Sequence, residues 1–305
     1  MTRHVRVVLD YLHPWPNSAG LFVARDRDWY AEADLDVELR VHDCGWGDTL
    51  EYLHRGQVEF GLFPPNRLLV RRERGERVSA IAAINHEGLE AIQVTAKSGI
   101  ERLRDLAGHL VGYAPTPRGR AMVAAVVAAD GGDPAAVETV DTGATELTPE
   151  FLAASGLDAT FGGYWSWDAL TADSAAAEQV RVWPMRDTGA PGYHSYVLGA
   201  PEELLDTDPD LIRAFLAVTG RGYATAAAEQ GRTVELLAKA VPYVPAWRLA
   251  RSLALVAPTW FHKGTWGDLR ADLFKGYAAF LAGYGILATP ETWPAAITTD
   301  FLPPR

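Results

Sequence analysis

Tyr11 and Trp15 in "YLHPWPN", and Tyr164, Trp165 and Trp167 in "FGGYWSWD", are large aromatic residues placed in connectors rather than in regular elements. Trp15 lies between prolines, and Trp165 follows the glycine pair 162–163 by two positions. A core aromatic belongs on the apolar face of an element, so this placement points to a ligand wall. Flat rings stack on flat heterocycles, each pair worth about 0.5 to 1.5 kcal/mol beyond area burial. Tyr193 in "GAPGYHSYVL" is a further candidate of the same kind. Two polar residues share these stretches. Asn17 could donate and accept at a ring edge, or cap a helix that begins near Gly20. Asp168 could accept from a ligand amino group, or complement the dipole of a helix that it opens.

The usual chemical signatures are missing from the rest of the chain. Cys44 is the single cysteine, which excludes an intrachain disulfide and any site built on several thiolates. The eight histidines show no paired metal spacing, and "HEGLE" at His86 lacks the second histidine of a zinc-protease helix. No Walker phosphate loop, G-x-S-x-G elbow or post-strand G-x-G-x-x-G occurs. No catalytic residue, metal ligand or cofactor is therefore assigned, and the reading leans away from an enzyme.

Charge and length narrow the partners. A formal net charge of −11 argues against a nucleic-acid groove or an anionic membrane surface, either of which needs a concentrated basic stripe. The run Arg71-Arg72-Glu73-Arg74 reads as a solvated helix end. No apolar span approaches the ~20 residues of a membrane helix. Residues 1–4 lead straight into a strand, so the chain as written reads as cytoplasmic, and as extracytoplasmic if an export signal has been removed.

The elements that must position these residues alternate. Val5 to Asp10, Val37 to Val41, Val58 to Phe63 and Val78 to Ile84 read as strands, with helices at Leu21 to Glu32, Asp48 to Arg55 and Asn66 to Arg74. A second series follows: strands near Ala91 to Thr95, Leu110 to Tyr113, Val137 to Val140, Ala159 to Phe161 and Val180 to Trp183, with helices including Arg120 to Ala129 and Trp165 to Ala177. Alternation of this kind implies βαβ units on parallel sheets. At 305 residues and 48% hydrophobic content the chain can fill two cores, so two α/β lobes are expected. From Pro201 onward helical periods dominate, and these helices should cover the first lobe. Ligands on open sheets gather beyond the carboxyl ends of strands. The strand ends and loops there add Asp10, Phe63, Asn66, Pro115, Arg118 and Gly163 to the candidate contacts.

In series, these segments resemble the SsuA/THI5-like (NMT1) family of periplasmic-binding-protein folds. Asp10, Pro14, Asn17 and Gly20 are similar to the family's "DW-x-PN-x-x-H-x-G-x-Y-x-A" opening, continued by Trp29-Tyr30 and "ADLDVELR". "GQVEFGLFPPNRLLVRRERGERVSAIAAI", "IERLRDLAGHLVGYAPTP", "VDTG", "LDATFGGYWSWDA" and "DTGAPGYHSYVL" follow in family order. The resemblance implies a type II periplasmic-binding-protein fold with two α/β lobes, a two-segment hinge and a helical C-terminal part on lobe 1. The crossovers fall near Asn85 to Leu89 and Pro191 to His194, giving residues 1–88 and 194–305 to lobe 1 and 89–193 to lobe 2. It further implies a small-molecule binding protein that closes on an aromatic heterocycle, a thiamine-precursor pyrimidine or a flavin, for uptake with an ABC-transporter permease as partner. Trp15 and Trp165 would then flank the ligand from opposite lobes. The alternative is a cytoplasmic enzyme on the same fold. Its family chemistries do not transfer: the cysteine cluster of the yeast-type pyrimidine synthase is absent, and residues 11–20 hold no cysteine like the desulfinase nucleophile. Trp15 stands where asparagine is frequent, Ser18 where histidine is usual, and Asp168 where glutamate is often seen.

Overall fold

The run "VRVVL" forms the last five residues of β1 (Arg3–Leu9), where branched side chains suit an extended pleat and both faces are covered: Val5, Val7, Val8 and Leu9 are all buried. The structure is a computed structural model that describes residues 2–114, 116–143, 145–172 and 179–304. The chain divides into two units. The first holds Met1–His86, Tyr193–Ala279 and Leu287–Arg305; the second holds Glu87–Gly192 and Phe280–Ile286.

In the first unit, β1 pairs in parallel with β2 (Leu35–Val41) and β3 (Phe60–Phe63). Beyond β3 comes β10 (Val197–Pro201), antiparallel to both β3 and β4 (Val78–Ala83), so the order is β2-β1-β3-β10-β4. A strand from late in the chain thus completes a sheet begun early. The second unit repeats the pattern. Its β5 (Glu90–Thr95), β6 (Leu110–Gly112), β7 (Glu138–Val140), β8 (Ala159–Tyr164) and β9 (Val180–Pro184) are ordered β7-β6-β8-β5-β9, with β6 parallel to its neighbours and β5 antiparallel to β8 and β9. A short antiparallel pair, β11 (Phe261–His262) and β12 (Thr265–Trp266), belongs to the first unit.

The helices mostly fall where periodicity puts them. They are α1 (Ala19–Asp26), α2 (Trp29–Glu32), α3 (Thr49–His54), α4 (Pro65–Glu73), α5 (Pro117–Ala129), α6 (Pro149–Ser155), α7 (Glu202–Thr207), α8 (Pro209–Ala228), α9 (Gln230–Ala240), α10 (Ala246–Val256) and α11 (Ala271–Gly283). Three expectations need correction. The single helix Leu21 to Glu32 is broken between α1 and α2, because Asp28 adopts φ 58°, a left-handed conformation that aspartate tolerates and a continuing helix does not. The helix Trp165 to Ala177 is absent over 165–172, which form turns and irregular backbone; its residues 173–177 lie outside the described residues. There the Tyr164 carbonyl accepts from the N–H groups of both Trp167 and Ala169, at 3.0 and 3.1 Å, a tight reversal instead of a helical ladder. Finally, the C-terminal part does not belong wholly to the first unit, since α11 ends in Phe280–Ile286 of the second.

Helices α1 and α8 meet at a pair of glycines. A Cβ on Gly222 would lie 2.1 Å from the Gly20 carbonyl oxygen, and one on Gly20 would lie 2.3 Å from the Tyr223 ring. Glycine inside a helix costs about 0.5 to 1 kcal/mol relative to alanine, and here that cost permits the backbones to touch. We expect Gly222→Ala to destabilise the protein by about 3 kcal/mol through backbone overpacking. Gly276→Ala, inside α11 with nothing within 4 Å of its added Cβ, should instead stabilise it by about 0.5 to 1 kcal/mol. Denaturant midpoints of the two variants against the parent check both signs.

Candidate ligand site at the end of β1

Where β1 ends, Asp10 begins a connector that enters a short 3-10 turn at Pro16–Ser18 and then α1. The turn is closed on Trp15, whose carbonyl accepts from the Ser18 N–H at 3.0 Å and the Ser18 hydroxyl at 2.9 Å. Ser18 therefore works as a turn residue.

The Asp10 carboxyl is the centre of this loop. Its Oδ2 accepts from Trp15 Nε1 and from Asn17 Nδ2, each at 3.3 Å. Its Oδ1 is buried and meets no donor. Burial pushes the carboxyl up to about 6, with the hydrogen bonds from Asn17, its own backbone and Trp15 pulling the other way. None of the groups that shift it is a cation.

Asn17 does not take the capping role expected as one alternative for it. No side chain caps α1 or the turn before it, and the Asn17 amide is committed to a buried network. Asn17 Nδ2 donates to Asn85 Oδ1 at 3.2 Å, and Asn85 Nδ2 returns a bond to Asn17 Oδ1 at 2.8 Å. Trp260 Nε1 also donates to Asn17 Oδ1, at 3.1 Å, and the Tyr223 hydroxyl to the Asn17 carbonyl, at 2.9 Å. Asn85 Nδ2 further reaches Thr259 Oγ1 at 2.8 Å. Asn85, Tyr223, Thr259 and Trp260 were not singled out as site residues. The available signal was an asparagine ending the apolar run "VSAIAAIN".

The other first-unit candidates divide by exposure. Trp15 is fully buried, and the half-buried Tyr11 ring lies against it with centroids 5.3 Å apart. Phe63 is a core residue, because β3 is an interior strand and its ring fills the space over Gly199. Asn66 is half-buried in the first turn of α4. Tyr193 is buried and stacks on Tyr277 at 4.9 Å and 18°.

In the second unit, Arg118 and Glu90 form a bidentate pair at 2.5 and 2.6 Å, and Glu90 opposes Tyr164 in the β5–β8 register. Gly163 is needed for packing, since a Cβ there would lie 2.9 Å from Gln93 Nε2. Trp165 is buried, with Nε1 donating to the Gly88 carbonyl at 3.1 Å. The Arg186 guanidinium lies 4.2 Å from the centroid of its ring and pairs with Glu87 at 2.9 Å. Asp168 opens no helix; its Oδ2 accepts from the Tyr164 N–H at 2.6 Å and closes the turn. Pro115 lies outside the described residues. Among the described residues, no group of three or more histidine, cysteine, aspartate or glutamate residues could hold a metal ion, and no helix is long and apolar enough to cross a membrane.

With this geometry in place, comparison with known proteins adds the following. The 4-amino-5-hydroxymethyl-2-methylpyrimidine phosphate synthase of Legionella pneumophila subsp. pneumophila is 24% identical over 231 residues, 74% of this chain and 71% of that protein. The alkanesulfonate-binding protein SsuA from Xanthomonas axonopodis pv. citri, solved bound to MOPS, is similar with a TM-score of 0.73 at 14% identity, over 97% of this chain and 98% of that one. The ligand-binding component of an ABC-type import system from Staphylococcus aureus, solved with zinc bound, gives 0.72 at 14% identity, over 98% and 97%. Identities this low speak to the fold, which is the periplasmic-binding-protein fold with its two α/β lobes. The family model described as NMT1/THI5 like matches residues 15–232, and the chain belongs to that family.

Proposed function

We propose that the protein binds a small aromatic heterocycle bearing an N–H donor, of the aminopyrimidine type, at the loop that follows β1. The observation that carries this reading is the Asp10 Oδ1 atom, buried without a donor in the loop that also carries Tyr11 and Trp15. A buried acceptor left unpaired costs about 1 to 3 kcal/mol, which a ligand amino group would recover. The same carboxylate, with no cation among the groups that shift it, disfavours an anionic ligand such as a sulfonate. Asp10 thus takes the amino-accepting role first considered for Asp168, whose carboxylate closes its own loop. Closure of the two lobes on the ligand, delivery to an ABC-transporter permease and a place outside the cytoplasm belong to this proposal; an export signal in the upstream reading frame would support the last.

A second reading rests on the Legionella relative, whose name is that of a pyrimidine phosphate synthase. In that reading an aminopyrimidine occupies the same loop as product instead of cargo. Mass spectrometry of ligand recovered after incubation separates the two, since cargo leaves unchanged.

Three outcomes follow. Asp10→Asn should weaken an aminopyrimidine by about 1.5 to 3 kcal/mol, the worth of a charge-assisted hydrogen bond, and leave an analogue without the amino group nearly unaffected. Calorimetry with both ligands measures the coupling; equal losses would remove Asp10 from the contact. The same substitution should stabilise the empty protein. The folded state holds the Asp10 proton more tightly than the unfolded state, so stability falls as pH rises from about 4 to about 6 and the full cost, on the order of 3 kcal/mol, persists at neutral pH. Melting temperatures of Asp10→Asn should exceed the parent's at pH 7 and match them near pH 3. Lastly, X-ray scattering should show a smaller radius of gyration with ligand than without; tight binding at unchanged radius would set closure aside.

A further inference from the structure

Three imidazoles gather in the first unit at the points where the chain leaves and re-enters it. His86 is the last residue of the first segment, and His194 is the second residue of the returning one. Their ring centroids lie 5.2 Å apart, and the His262 ring lies 5.6 Å from His86 on its other contact. The backbone there is bound into the same unit: the His86 N–H donates to the Thr259 carbonyl at 2.8 Å, and the Asn85 N–H to the Tyr196 carbonyl at 3.2 Å.

The hydrogen bonds fix which nitrogens carry protons. His194 Nδ1 donates to the Asn85 carbonyl at 2.7 Å, while its Nε2 accepts from the Arg270 N–H at 3.1 Å. That ring is neutral, and a second proton on Nε2 would displace the Arg270 amide. His86 is 9% exposed, and neither of its nitrogens has a partner, so a proton added to it would find no acceptor. His262 is oriented by Asp268, with Nδ1 2.7 Å from Oδ2.

We propose that His86 and His194 form an acid-sensitive clasp that seats both crossover segments in the first unit while neutral and releases them when protonated. The titratable and charged groups facing the pair are His262, Asp268, Arg270 and Asp272. The two aspartates favour a proton, Arg270 opposes it, and for both rings burial outweighs either influence, holding His86 down at about 3 and His194 at about 4. The sign follows from linkage. Each folded-state value lies below that of a free histidine, near 6.5, so the clasp is fully stable above that pH and weakens as pH falls towards 4.

The test is native-state hydrogen exchange of the Asn85, His86 and Arg270 amides at pH 7 and pH 5, corrected for intrinsic rates. If both rings are released together, the opening constant at these amides should rise on the order of a few hundred-fold between the two conditions. His86→Phe keeps an aromatic ring in the stack and should reduce the rise to about 25-fold, one histidine's share. Amides of β1 and β2 should keep their protection. Unchanged protection at the crossovers, an equal loss in the sheet, or a full acid response in His86→Phe would each overturn the clasp. The imidazole carbon–proton signals of the parent protein give an answer even if the variant fails to fold. Titration of His86 and His194 near pH 6.5 with the crossover amides still protected would be contrary to the proposal; protonation in step with loss of that protection would support it.

Discussion

The reciprocal amide pair between Asn17 and Asn85 is the interaction around which the first unit is organised. It joins the connector after β1 to Asn85, two residues past the end of β4, and through Trp260, Tyr223 and Thr259 it draws in the C-terminal helical part. A buried polar network of this type is stable only when every member is satisfied, because each orphaned group carries its full desolvation penalty. Here the amides satisfy one another, while the Oδ1 atom of Asp10, bonded to them through its Oδ2, meets no donor. The network therefore holds the loop still while leaving a single acceptor open. A loop fixed by its own hydrogen bonds loses little conformational entropy when a ligand arrives.

Structural and ligand-facing roles are separated within a few residues of the same stretch. Trp15 and Asn17 turn their polar atoms to Asp10, Ser18 turns its hydroxyl to the turn, and Gly20 yields its surface to α8. The Oδ1 atom of Asp10 is the buried acceptor in this stretch that meets no donor. The family-like pattern of aspartate, proline, asparagine and glycine is thus largely a recipe for the loop's shape.

How much of this was legible in the sequence depends on range. Alternating strands and helices could be read because hydrophobic period is a local property, but the parallel sheets that the alternation implied are in fact mixed, since β10 and β5 run antiparallel to their neighbours, a pairing set by distant chain segments. The break at Asp28 was not legible, since the pattern of α1 continues past it and only a backbone angle ends the helix. The loop after β8 misled for a related reason. Its aromatics and Asp168 have the composition of a helix start, but the carboxylate turned back four residues to Tyr164. Asn85, Thr259 and Trp260 escaped because their significance lies in partners as many as 243 positions away, which no local window contains.

The placement of β10 between β3 and β4 bears on how the chain folds as it is made. All five strands of the second sheet lie within residues 90–184, so that sheet can assemble once this continuous stretch has emerged. The first sheet must wait for Val197–Pro201, and the contact of Gly20 with Gly222 waits longer still. Until then β3 and β4 each carry an unpaired edge, the kind of surface that recruits other chains. Closing loops of that length before any contact repays them is slow. The part of the protein that is synthesised first is the part that is finished last, and its exposed edges during that interval are where a nascent chain would most need protection from aggregation.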